Sequence, residues 1–498
     1  MTIGWITIAR GVVLGGMAVA FLVTTAIELR KAHRDSGFAP AERSIGDRGV
    51  RVLLQNHAAP QPVPTYTQDI SVVALQPSEL VTPDDDSIEK RLTLKTGSRL
   101  RVLPDSDGLV LISSEWPSEK RWPVTRIWLQ PLRTEPAAPP PPTSGNKLSL
   151  RDLRTFEAAD KGSVFAIDFN RQRRSYRGNL EIRLHSPRAL IAVNHLPLEA
   201  YVEGVVGVEM KPGWYLEALK SQAIVSRSYA FERSLRARAK PDQAWDITDT
   251  ATSDQEYRGT LRVTASVRRA VLETRGVVTL AGPRDVNLFA PYFCASSGGW
   301  TAASDTVEPG GTDFSRRVPL GTTVMRPVED PACEPAARAL GLTNTHLRSE
   351  VTVSAKEIGL VVGKIIQPTG KMMGYVQRVE VGRRRPPPDS RVETVVVTHT
   401  PGEREEISAH IFRMGLEPVL RASGDGRTSL RSTRWSDDSP KRVQVNDRVS
   451  YRFTSYGYGH GVGMSQISAW WLARQGLNAK AILGRFYGGS QLQLRALW

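Results

Sequence analysis

The chain has 498 residues, 40% of them hydrophobic, which is long and apolar enough for two to four domains with real cores. Its formal net charge of +15 calls for an acidic partner, a description that nucleic acid, anionic lipid and bacterial wall polymers all meet. The arginines are scattered, and the densest cluster, Arg383-Arg384-Arg385, runs straight into Pro386-Pro387-Pro388, so no nucleic-acid partner is expected.

The first element is an uncharged run, residues 11–27, bounded by Arg10 and by Glu28, Arg30 and Lys31. Its 17 residues reach the lower limit for crossing hydrocarbon, so a membrane anchor and a secretory signal both fit. No small-x-small cleavage site follows it, Ala18-Val19-Ala20 lying in mid-run, which favours an uncleaved transmembrane segment within 1–31. Residues 50–133 carry short apolar runs (50–54, 91–94, 109–112) between Gly, Pro and Asp signals and predict a small β domain. A Pro-rich linker spans 134–147, and strand signals resume at 178–184 and 190–193.

Two helices follow. Leu198, Tyr201, Val202, Val205 and Val208 repeat at helical spacing behind Pro197, and Pro212-Gly213 ends the pattern. In the second, Leu216, Leu219, Ala223, Ser226 and Ala230 form one stripe, with Lys220 and Arg227 on one flank and Gln222 and Tyr229 on the other. Farther on, strands are predicted at 351–353, 376–381 and 392–397, and helices at 465–474 and 479–486. The eight histidines are isolated, and neither His-Glu-x-x-His nor Cys-x-x-Cys occurs, so no metal or other cofactor is expected.

Two features carry chemistry. Glu209 closes the first helix among Val205, Val206, Val208 and Met210. A carboxyl held against apolar side chains resists ionising, so its pKa rises and it can serve as a general acid near neutral pH. The run 456–466 alternates Gly457, Gly459, Gly461 and Gly463 around His460, with Ser465 and Gln466 at its end. Such glycines are tolerated where backbone approaches closely or φ is positive.

These features recur in order with others: Tyr176-Arg177-Gly178, Val193-Asn194-His195-Leu196, the stretch 199–210 ending in Glu209-Met210, 217–230, 249–259, 292–301 and 457–488. Over residues 148–498 this order resembles the sporulation stage II protein D / LytB family. The resemblance implies an α+β fold, a helical patch beside β-rich flanks, and lytic transglycosylase action on peptidoglycan glycan strands. Glu209 takes the place of the family's catalytic glutamate, with Glu203 a weaker candidate. A lytic enzyme can work with one acid, because the muramic 6-hydroxyl attacks the anomeric carbon in place of water. Arg227 would bind a lactyl or stem-peptide carboxylate. Lys220, Gln222, Tyr229 and Tyr201 would line the same groove, and the run 456–466 would close one wall with His460, Ser465 and Gln466. The LytB branch implies an alternative, a wall-binding protein that stimulates a cell-wall amidase. Cys294 and Cys333 are compatible with one disulfide in an exported protein. Lys211 stands where the family usually has Pro directly after the Glu-Met pair.

Overall fold

The computed structural model describes residues 49–54, 70–82, 91–132, 164–169, 172–186, 188–240, 243–281, 287–304, 325–366, 374–426, 429–488 and 492–496. The expected transmembrane segment (1–31) and the Pro-rich linker (134–147) lie outside these residues. Among the described residues no helix is long and apolar enough to cross a membrane.

The fold mixes sheets and helices. One sheet has seven strands in the order Ile247–Thr248, Gly49–Leu54, Ala189–Pro197, Asn179–Ser186, Arg126–Pro131, Ser78–Val81, Arg91–Leu94. A second has six, in the order Gln172–Tyr176, Phe165–Phe169, Ile70–Ala74, Arg99–Asp105, Gly108–Ser113, Lys120–Trp122. Both take strands from either side of the predicted linker: Val52 lies opposite Asn194 in one, and Val72 opposite Ile167 in the other. Residues 50–133 are therefore not the separate β domain expected. Apolar residues such as Val52, Val72, Leu100, Ile167 and Leu180 enter one shared core, and separating the two halves would bare strand edges that now pair.

Eight α-helices lie among the described residues: α1 (Leu198–Glu209), α2 (Leu216–Arg238), α3 (Ala265–Glu273), α4 (Cys333–Ala339), α5 (Ala355–Ile366), α6 (Ala409–Ala422), α7 (Gln466–Arg474) and α8 (Ala479–Phe486). Helix α2 departs from the predicted stripe with polar flanks. Apart from Lys220, its residues from Ala218 to Glu232 are buried, because α1, α3, α7, α8 and strand Val277–Ala281 all pack around it. Small side chains make this enclosure feasible, and the hydroxyls of Ser221 and Ser228 donate to the carbonyls of Glu217 (2.8 Å) and Ile224 (2.7 Å), one turn back.

Residues 348–456 build a second core within the predicted 148–498 domain. Two three-stranded sheets, one of Arg348–Ser354, Arg448–Tyr456 and Lys441–Val445, the other of Val376–Val381, Thr394–His399 and Arg404–Ser408, enclose it with α5 and α6. Strand Arg448–Tyr456 runs directly into the glycine-rich segment.

There the expectation of left-handed backbone holds at all four positions: φ is 86° at Gly457, 99° at Gly459, 82° at Gly461 and 74° at Gly463. Space is equally short. A Cβ on Gly461 would overlap the Arg391 guanidinium, and one on Gly463 the Tyr292 carbonyl oxygen. Gly463→Ala should cost at least about 1–3 kcal/mol, read as a lowered urea midpoint, since strain and overlap act together. Beside it, strand Met464–Ser465 pairs in parallel with Phe293–Cys294.

The two cysteines do not form the disulfide expected. Cys294 sits in that strand and Cys333 opens α4, both as free, buried thiols. The Cys333 sulfur lies 3.2 Å from the Ser296 hydroxyl. Burial pushes the Cys294 thiol up to about 12, so it is un-ionised and inert at neutral pH.

Candidate active site

Glu209 is where four distant stretches of the chain meet. It ends α1, whose last turn passes into extended backbone at Met210. Its Oε1 accepts the Glu256 backbone N–H at 2.9 Å, and its Oε2 accepts the Gln466 side-chain amide at 3.2 Å. The same Gln466 nitrogen donates to Gln222 Oε1 at 3.3 Å, and Gln222 donates to Ser226 Oγ at 3.0 Å. Gln466 begins α7 and Gln222 lies within α2, so the tertiary packing of α1, α2, α7 and the 249–259 loop fixes the carboxyl.

The loop is held by Asp254. Its Oδ1 accepts from Tyr229 Oη (2.9 Å) and Arg233 Nε (3.1 Å), and its Oδ2 from the Thr248 backbone N–H (2.9 Å) and hydroxyl (3.0 Å). Next to it, Gln255 Oε1 accepts from Tyr201 Oη at 3.3 Å, and Tyr257 Oη donates to Asn194 Oδ1 at 3.0 Å. This network aims the Glu256 N–H at Glu209.

Burial dominates the electrostatics of Glu209 and pushes its pKa up to about 7, against the lowering effect of its two hydrogen bonds. The nearby Glu256 carboxylate acts in the same upward direction, as does the negative end of α1. The residue as a whole is nonetheless not fully enclosed. Because the folded-state pKa lies above the ordinary value of 4.5, the associated stabilisation is complete below about pH 4.5 and is lost as pH rises through about 7. Glu209→Gln removes that dependence. The variant is expected to be more stable than the parent by up to about 3 kcal/mol at pH 8 and not at pH 4, as measured by urea unfolding at the two values.

The other expected site residues divide. Gln466 and Gln222 join Glu209. Tyr201 and Tyr229 are buried and orient the 249–259 loop, and burial raises both phenols well above 10.0. Arg227 is a correction. It is fully buried, and its guanidinium forms a bidentate pair with Glu199, at 2.9 Å from Nε to Oε1 and 2.7 Å from Nη2 to Oε2. Its Nη1 also donates to the Val277 carbonyl at 3.1 Å. The sequence spacing suggested a surface flank, but α3 and strand Val277–Ala281 cover that flank, so Arg227 holds the core together and offers no substrate fork.

Lys220 is likewise engaged, with Nζ 2.8 Å from Glu217 Oε1 and 2.5 Å from Glu273 Oε2, which ties α2 to α3. Ser465 is fully buried and shares a hydrogen bond with Ser468 at 2.8 Å. Glu203 accepts from Arg177 Nη1 at 2.7 Å and lies 3.8 Å from Arg268 Nε, so it is engaged in ion pairs away from Glu209. His460 Nδ1 accepts the Val462 N–H at 3.0 Å, and its ring meets Tyr292 edge-on at 6.0 Å. Burial, then Arg413 and Arg391, push its pKa down to about 3, too weak a base to take a proton in catalysis. None of its contacts among the described residues reaches Glu209.

Sequence reasoning missed Glu199, the partner of Arg227, and the Glu256 backbone donor. A Glu in the first turn of α1 carries no local sign of a partner 28 residues away, and a backbone N–H leaves no signature at all.

Comparison with known proteins points the same way as the motifs. The family described as Stage II sporulation protein matches residues 187–280. An uncharacterized protein of Brachyspira hyodysenteriae is 28% identical over 302 residues, 60% of this chain and 67% of its own. The stage II sporulation protein D of Bacillus subtilis is 24% identical over 313 residues, 60% of this chain and 76% of that protein. The amidase enhancer of Bacillus subtilis is 23% identical over 305 residues, 58% of this chain but only 40% of the enhancer. These likenesses support the resemblance to the SpoIID/LytB family over that part of the chain.

Proposed function

We propose that the chain is a lytic transglycosylase of peptidoglycan glycan strands, with Glu209 as its general acid and base. The observation that carries this is the Glu209 carboxyl, raised by burial to about 7 on a residue that is itself not fully enclosed, and held by the Glu256 N–H and the Gln466 amide. In the protonated form Glu209 gives its proton to the glycosidic oxygen as the bond from the muramic anomeric carbon breaks. The muramic 6-hydroxyl attacks that carbon and returns a proton to the carboxylate, which leaves a 1,6-anhydro end and consumes no water. Gln466 and the Glu256 N–H steady the carboxylate between the two transfers. The basic chain suits an acidic wall polymer, and the reading places the protein in the cell envelope, outside the cytoplasm, held by its N-terminal segment.

Product mass spectrometry tests it. Intact sacculi and amidase-stripped strands are incubated with the protein, and anhydro-muramic ends are expected, most abundantly from stripped strands. Absence of such ends from both substrates would overturn the reading. Because the protonated carboxyl is the working acid, the rate should fall about tenfold per pH unit above about 7. A rate flat to pH 9 would assign the step to another group.

A second reading has one specific support, the likeness to a protein named amidase enhancer. In that case the chain binds the wall without cutting it and accelerates a separate amidase, and adding it to amidase and sacculi raises stem-peptide release with no anhydro ends.

A further inference from the structure

Beyond Glu209 the same two segments continue into an aromatic surface. Five and six residues after Glu209 come Trp214 and Tyr215, and four residues after Gln466 comes Trp470. The Trp470 ring lies 6.3 Å from Trp214 and 5.9 Å from Tyr215, centre to centre, and 6.2 Å from Trp471. Tyr215 is 46% exposed, an unusual position for a ring that its surroundings have not buried. Gln466, Trp470 and Arg474 are spaced four apart, so they form one line along a face of α7, about 12 Å from first to last. The line starts at the side chain that holds Glu209 and ends at a cation.

Arg474 is exposed, and its guanidinium carbon sits 5.7 Å from the Trp470 ring centre and 5.2 Å from that of Trp471. Among the described residues it makes no ion pair. An arginine braced on two indoles has a preset orientation and keeps its fork of N–H donors open.

We propose that Trp214, Tyr215, Trp470 and Arg474 form a subsite that binds the glycan strand on one side of the scissile bond, and that Arg474 takes a carboxylate carried by that strand. This deepens the reading of Glu209 as the acid and rests on it for the position of the cut. A pyranose ring presents a face of C–H bonds that is apolar and slightly positive, which suits the negative face of an aromatic ring. A neutral glycan would need only the rings. The unpaired guanidinium selects a strand that bears acid groups, as muramic residues do through their lactyl carboxylate. The subsite thus takes over the carboxylate recognition that Arg227, enclosed in the core, cannot perform.

The test measures binding without cleavage. Full-length Glu209→Gln protein is titrated calorimetrically with stripped muramic-containing strands and with chitin oligosaccharides of matched length. Trp470→Leu, Tyr215→Ala and Arg474→Gln are each added to that background. Trp470→Leu and Tyr215→Ala are expected to weaken both ligands about tenfold. Arg474→Gln is expected to weaken the muramic strands about tenfold and leave chitin oligosaccharides unchanged. Tyr215 is exposed enough for its variant to fold, which keeps the test valid if Trp470→Leu does not.

Unchanged affinities in Tyr215→Ala and Arg474→Gln would overturn the proposal. So would an equal loss for both ligands in Arg474→Gln, or failure of the Glu209→Gln parent to bind either. Cleavage by the wild type, with KM unaltered when the same three substitutions are made with Glu209 intact, would reject the subsite alone. Ring-dependent binding with no cleavage by the wild type would reject the catalytic reading alone.

Discussion

Glu209→Gln is expected to eliminate release of anhydro-muramic ends, with a rate loss of about 10²–10⁴-fold, while the protein still binds glycan strands. The amide keeps the shape of the carboxyl and can still accept the Glu256 N–H at the position of Oε1. What it lacks is the transferable proton. The expected rise in stability at pH 8 separates this loss from unfolding, because a variant that is firmer and inactive has lost chemistry alone. Mass spectrometry of products and urea unfolding, both at pH 6 and pH 8, check the two halves. Retained cleavage in a well-folded Glu209→Gln protein would move the acid elsewhere; Asp330 and Asp389, whose carboxyls burial also raises, are both buried.

The second large effect concerns Arg227. Arg227→Ala is expected to destabilise the fold by about 3–5 kcal/mol, because it leaves the Glu199 carboxylate without its partner at the junction of α1, α2 and the start of strand Val277–Ala281. Among the described residues Glu199 then retains the Gly276 N–H, at 3.1 Å, and the vacated space lies against the Val271 and Val277 carbonyls. Urea unfolding measures the loss. Glycan affinity per folded molecule should be unchanged. A stable Arg227→Ala protein with weakened binding would restore the substrate fork that the sequence suggested, and with it a more open α2.

Much of the site was legible in the sequence because its members are marked by local rules. Glu209 was conspicuous as a carboxyl at a helix end among valines, and its raised pKa follows from the same neighbours. Gln466 stood at the end of a run whose glycines could only mean unusual backbone, and all four adopt positive φ. Helices and strands with strong periodicity, such as α8 and strand Val376–Val381, fell where expected. Less legible was which polar side chain faces outward. Lys220, Arg227 and Tyr229 lie on α2, and a helix read alone offers a polar flank to water. Packing on every side reverses that, so each of the three is satisfied within the protein, by Glu217 and Glu273, by Glu199, and by Asp254.

Domain limits failed for a related reason. A proline-rich stretch reads as a linker because it cannot pair or coil, yet the strands before and after it find each other in two sheets. The pairing of Val52 with Asn194 joins residues more than a hundred positions apart, and no local pattern encodes it. The sequence by itself determined the place of Glu209 at a helix end, the glycine-rich turn and the order of motifs, since each depends on side-chain type and on neighbours a few residues away. Only the tertiary structure decided which side chains reach the Glu209 carboxyl, which arginine is enclosed and which stands open beside the tryptophans, because burial and ion pairing are set by contacts between distant segments.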